Sequence, residues 1–142
     1  MTGKEILQVI EESGVSVSSF AYGDFGVPDD FELPEELRAQ REAYTKHWEL
    51  DYNERQGKET PKYDRKAADK YWQDQTGIGA WEEVDSYGGE DQGSTWYSIK
   101  HFMDHNVYIR TDGYYQSYNG VEFYKGYGRE VTPKKKTITV FE

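Results

Sequence analysis

Histidines and carboxylates are where a reaction or a metal site would have to start in this chain. His101 and His105 stand four apart with Asp104 between them, residue types that ligate zinc and related ions. That spacing puts two imidazoles on one face only in a helix, and the surrounding residues alternate as strand, turn and strand, so a surface turn is expected and no metal. His47 falls among charges on a predicted helix and is expected in solvent. The clusters Asp29-Asp30-Glu32, Glu82-Glu83-Asp85 and Glu90-Asp91 could supply an acid and a base, or hold calcium. None has the one-three-five oxygen spacing of a loop that wraps a cation, which leaves solvated surface as the expectation. There is no cysteine, and no serine in a G-x-S-x-G context, so nucleophilic catalysis has no starting point. Ser86 to Gly93 is glycine-rich and could aim amides at a phosphate. It lacks the lysine and the following helix of a P-loop, and Glu90 and Asp91 would repel an anion. A hairpin loop is expected there, and neither an enzyme nor a cofactor for the chain.

Rings and basic groups offer a different chemistry. Tyr114, Tyr115 and Tyr118 with Arg110 could stack a base or a sugar. With Lys125 and Arg129 they would make a platform for a small nucleotide-like ligand. Charge points elsewhere. Residues 1–32 and 33–93 each carry a net −6, and residues 94–142 a net +2, within a total of −10. That field repels nucleic-acid phosphates, so duplex binding is not expected, whereas a basic protein surface would be attracted.

Composition bounds the class. At 142 residues the chain is expected to form one domain with a modest insertion. With 16% aromatic residues against 35% hydrophobic, its core must lean on rings, whose polar tips need partners. The lack of cysteine suits a reducing compartment. No apolar run reaches transmembrane length and no signal-peptide pattern opens the chain, so a cytoplasmic protein without a membrane partner is expected.

The elements that would position these groups can be placed by period. Thr2-Gly-Lys-Glu5 has capping-box spacing, and Ile6, Val9 and Ile10 follow at helical intervals, predicting a helix over 3–13. Val15 to Phe20 alternates like a brief strand. Pro34 opens a long helix whose Leu37, Tyr44, Trp48 and Tyr52 form one stripe, with Glu42–Lys46 and Asp51–Arg55 as supporting pairs and Gly57 as its end. Thr60-Pro61 starts a second helix, ended by Thr76-Gly77. Residues 33–76 are then an inserted helical hairpin, after a lead-in helix and loop over 1–32.

Residues 77–142 are strand-like. Trp81 to Val84 opens the sheet. Trp96, Ser98, Lys100 and Phe102 alternate with Tyr97, Ile99, His101 and Met103. Asp104-His105-Asn106 suits a turn. Val107, Ile109 and Thr111 alternate again, and Asp112-Gly113 and Asn119-Gly120 are two-residue hairpin signals. Thr137 to Phe141 would close the sheet. The expected fold is α+β: a bent antiparallel sheet or partly open barrel of about five strands, an N-terminal helix and the inserted hairpin. Its core would come from Ile6, Val9, Trp81, Trp96, Ile99, Val107, Ile109, Ile138 and Val140.

The pattern Trp81-Glu-x-Val84, Gly88-Gly-Glu-x-Gln-Gly93, Trp96-x-Ser-Ile99, Phe102-x-Asp-His-x-Val-Tyr-Ile109, Gly113-x-Tyr-x-Ser-Tyr118 and Val131-x-Pro-Lys134 resembles a group of small proteins from tailed-phage genomes. The resemblance implies a phage setting. Those proteins look shorter before the Trp81 strand, which is what marks 33–76 as an insertion. The leading expectation is a non-enzymatic accessory protein that binds, and by binding inhibits, a host or phage protein. Asp29, Asp30, Glu42, Trp48 and Asp51 would contact it. The alternative is a ligand-sequestering protein using Arg110, Tyr114, Tyr115, Tyr118, Lys125 and Arg129.

Overall fold

The computed structural model describes residues 1–88, 94–116, 120–123, 125–134 and 139–141. The architecture is α+β, with five helices and one open five-stranded antiparallel sheet among the described residues. The chain divides into two compact units, Met1–Phe25 with Ile78–Glu142, and Gly26–Gly77.

In the first unit, helix α1 (Gly3–Glu12) carries the expected capping box: Thr2 accepts from the Glu5 amide and the Glu5 side chain accepts from the Thr2 amide. Its Ile6 and Ile10 are fully buried. Val15 to Phe20 is not a strand. Ser16 accepts from the Ser19 amide and starts a helix, α2 (Val17–Tyr22), which ends at Gly23 with φ 77°. Val17, Phe20 and Ala21 fit a helical spacing as well as a strand's, and the serine cap decides between them.

Strands β1 (Trp81–Tyr87), β2 (Thr95–Phe102) and β3 (Val107–Gln116) form a meander. Strands β4 (Gly120–Glu122) and β5 (Arg129–Val131) pair with successive parts of the other edge of β3, at Tyr114–Gln116 and Tyr108–Arg110. Among the described residues β1 pairs with β2 alone, and a bulge interrupts it between Glu83 and Asp85. Glu82 to Tyr87 are exposed. The turn between β2 and β3 is a single 3-10 turn, Met103–His105, closed by Asn106 in the left-handed region (φ 50°), as its residue types suggest.

The alternation of β2 holds: Trp96, Ser98, Lys100 and Phe102 are buried, opposite Gly113, Thr111, Ile109 and Val107 of β3. Helices α1 and α2 cover this face. Each fully buried aliphatic or ring contributes roughly 1.5–3 kcal/mol.

Two expectations about the sheet fail. Asp112-Gly113 is no hairpin; both residues lie inside β3, paired with Tyr97 and Trp96, and Gly113 lacks a positive φ. A Cβ there would run into Val121 and lie 2.9 Å from the Glu122 carbonyl, so this glycine admits β4 rather than a turn. Of the second signal, Gly120 has φ 71° and opens β4; Asn119 lies outside the described residues. Of the expected closing strand, the described residues Thr139 to Phe141 form none, and Val140 and Phe141 are 75% and 92% exposed. Thr137 and Ile138 lie outside the described residues. Strand β5 takes the edge instead, with Pro133 just beyond it. Of the expected core, Val9, Trp81 and Ile99 are only half-buried, while Phe20 and Phe102 are fully buried.

In the second unit, the long helix breaks. Helix α3 (Glu35–Glu49) stops at Leu50, whose backbone is extended, and Asp51 caps a short α4 (Tyr52–Arg55) by accepting from the Glu54 amide. Asp51 and Arg55 therefore support a break, not one continuous turn. Arg55 donates to the Leu50 carbonyl at 2.8 Å and covers the Trp48 ring at 5.0 Å. Pro34 is the N-cap of α3, and α5 (Arg65–Thr76) is capped by Asp64, not Thr60. Gly77 ends it with φ 82°. The loop before α3 is held by the Arg41 side chain, donating to Phe31 O at 2.8 Å, and by Asp69, accepting from the Val27 amide at 2.7 Å. The stripe is shifted from its expected line: Leu33, His47, Ala68 and Trp72 are buried. His47 is thus no solvated residue. Trp48 and Tyr52 point outward, 50% and 71% exposed, because His47 takes the inward direction and the break at Leu50 turns Tyr52 off the line.

Candidate functional site

The sheet face turned away from α1 and α2 carries one candidate. Alternation places Tyr97, Ile99 and His101 of β2 beside Tyr108, Arg110 and Asp112 of β3. The side chains form a chain of contacts. Tyr97 donates its hydroxyl to Asp85 at 3.1 Å, and the Arg110 guanidinium lies 4.2 Å from the Tyr97 ring centre. Arg110 Nε donates to one Asp112 oxygen at 2.9 Å, and Arg129 Nη1 to the other at 2.8 Å. Asp112 is only 7% exposed. The Asp85 hydrogen bond is the first cause that holds the Tyr97 phenol above its usual range, since ionisation would set two anions side by side. A groove of about 380 Å³ opens here, with Val84, Ile99, Tyr108 and Val131 beside Arg110, Arg129 and Lys134.

Only part of the expected aromatic platform is assembled. Arg110 and Arg129 come together. Tyr114 is exposed near the end of β3, Tyr115 falls one residue out of phase with it, and neither lines the groove. Lys125 is exposed in the turn before β5 and is not a lining residue. Tyr118 lies outside the described residues. Tyr97 and Tyr108 take the place of the predicted rings, and the alternation of β2 and β3 was the signal for them.

Inside the same unit, Lys100 is fully buried. Its ammonium donates to the Ala21 carbonyl at 2.9 Å and to Ser98 Oγ at 3.1 Å, over the rings of Phe20 and Trp81 at 4.9 and 5.9 Å. Desolvation pulls its pKa down to about 8, against the pull of Glu83. With no exposed surface it cannot meet a substrate; it satisfies a carbonyl at the end of α2. His101 shares a hydrogen bond with Asn106 at 3.0 Å and stacks on Tyr108 at 4.1 Å, while His105 meets the N-terminal amine at 3.0 Å. The two imidazoles therefore face different partners. Among the described residues no three His, Asp or Glu groups gather as metal ligands. Glu90 and Asp91 lie outside them.

The helical unit carries the second candidate. A cleft of about 360 Å³ is lined by Asp29, Arg41, Tyr44, Trp48, Tyr63 and Arg65, among others. Tyr44 lies 6.2 Å from Trp48 and 5.9 Å from Tyr63, and Arg65 covers the Tyr63 and Tyr44 rings at 5.5 and 6.0 Å. Burial pushes the Tyr63 phenol up, more than Arg41 and Arg65 draw it down. Asp29 and Trp48 thus line one cleft. Asp30 and Glu42 are exposed outside the cleft, and Asp51 is spent on its cap. The cleft is mixed in charge, because Arg41 and Arg65 answer its acids.

No helix among the described residues is long and apolar enough to cross a membrane. Comparison with models of known protein families, with curated proteins and with solved structures finds no match.

Proposed function

We propose that the protein is a non-enzymatic accessory protein of phage origin, acting in the host cytoplasm, that binds a second protein with a basic surface and inhibits it by occupying that surface. The phage setting rests on the resemblance carried by Trp81 to Lys134. The observation that carries the binding reading is the exposure of Trp48 and Tyr52 on the helical unit, 50% and 71%, with Asp29, Asp30 and Glu42 also in solvent. Tryptophan and tyrosine are the side chains that most often anchor interfaces, since a ring buries much area at small entropic cost. Exposed carboxylates on the same unit favour a basic partner and speed the encounter.

The test has two steps. The full chain is used to capture proteins from host lysate, and the captured protein is then purified and titrated against wild type and Trp48→Ala. The variant should bind at least tenfold more weakly, about 1.4 kcal/mol, and wild-type affinity should fall with added salt. Equal binding by Trp48→Ala and by Trp48→Ala/Tyr52→Ala would overturn the reading.

A further inference from the structure

The groove on the outer sheet face has a construction that strand pairing alone does not require. One buried carboxylate, Asp112, gives each of its oxygens to a different arginine, at 2.9 and 2.8 Å. Arg110 is further fixed by lying over Tyr97. Each guanidinium has five donor hydrogens in a rigid fork, and Asp112 occupies one nitrogen of each. Two positive groups thus share one negative charge, so the trio keeps a net positive charge in a chain of −10. Lys134 at the rim offsets Asp85, the acid that also lines the groove and accepts from the Tyr97 hydroxyl. Beside the arginines lie Val84, Ile99 and Val131, an apolar surface with no polar demand of its own. The volume of about 380 Å³ falls among small-molecule sites.

We propose that this groove binds a small organic phosphate: its phosphate on the free edges of Arg110 and Arg129, its planar body on Val84, Ile99 and Val131. Paired guanidinium forks match a phosphate's oxygens in a way that scattered lysines do not. The repulsion that the whole chain exerts on a nucleic acid does not reach a single phosphate here, because exposed charges beyond about 8 Å are screened at physiological salt. The site lies within the sheet unit and does not depend on the helical unit's partner.

The experiment is an amide-shift titration of the full isotope-labelled chain with AMP, adenosine and inorganic phosphate, at physiological salt. AMP should shift amides of β2, β3 and β5 saturably, and adenosine and inorganic phosphate should each bind at least tenfold more weakly. Arg129→Gln should lower AMP affinity at least tenfold. Arg129→Lys, which keeps the charge and loses the fork, should fail to restore it. Both spectra away from the groove should match wild type; if Arg129→Gln disturbs β5, Lys134→Gln at the rim supplies the comparison and should weaken AMP several-fold. The proposal is overturned by AMP shifts that do not saturate or that fall elsewhere, by inorganic phosphate binding as tightly as AMP, or by full affinity in Arg129→Lys.

Discussion

Lys100 shows how a single side chain sets a pH dependence. Its folded pKa of about 8 lies below the ordinary 10.5, so the folded state disfavours the ammonium. Between pH 8 and 10.5 the unfolded chain binds more protons, and stability from this group rises with pH. Urea unfolding at pH 7.5 and 9.5 should therefore show a gain of roughly 2 kcal/mol in wild type relative to Lys100→Met. Lys100→Met itself should cost little at pH 7.5, because Ser98 still donates to the Ala21 carbonyl at 2.8 Å and an ammonium no longer needs burying. A flat difference between the two pH values would refute the account. Gly113 is the complementary case. Gly113→Val should destabilise by about 1–3 kcal/mol in thermal unfolding, because the new side chain collides with Val121 and Glu122 O. The dipeptide Asp-Gly looks the same in sequence whether it turns a chain or admits a neighbouring strand, so the position was legible and its reason was not.

Among elements, the strands were the most legible. One buried face imposes a period of two, and Trp96 to Phe102 obey it without exception. Short segments were not legible: six residues from Val17 fit either period, and a cap settles them. The break after α3 is likewise a local contest. Asp51 satisfies an amide of α4 and Arg55 a carbonyl left by α3, where continuous helix would leave both side chains in water. Asp51→Ala should cost about 1 kcal/mol, measured as a lower urea midpoint for the helical signal with an unchanged slope. The outer-face site was half legible. Arg110 and Arg129 carry the right chemistry, but their meeting on Asp112 depends on β5 pairing with the first part of β3, a register that no local pattern encodes.

For the whole molecule, the two compact units predict separable behaviour. Replacing residues 27–76 by a short Gly-Ser linker should leave a folded sheet unit, since loop-closure entropy changes slowly with length. Circular dichroism should show strand signal and a cooperative transition, and an aggregated product would refute independence. The shortened chain should lose the protein partner and keep AMP binding. Strand β1 carries a last consequence. An unpaired strand edge invites copies of the same chain to add to it, the first step toward fibres. Among the described residues the outer edge of β1 is unpaired; it holds Glu82, Glu83 and Asp85 and is interrupted by a bulge, which is how sheets resist such growth. Glu82→Thr/Asp85→Thr should then lengthen scattering particles with time at high concentration while wild type stays constant. On this view the acidity of β1 guards the chain against itself, whatever else the protein binds.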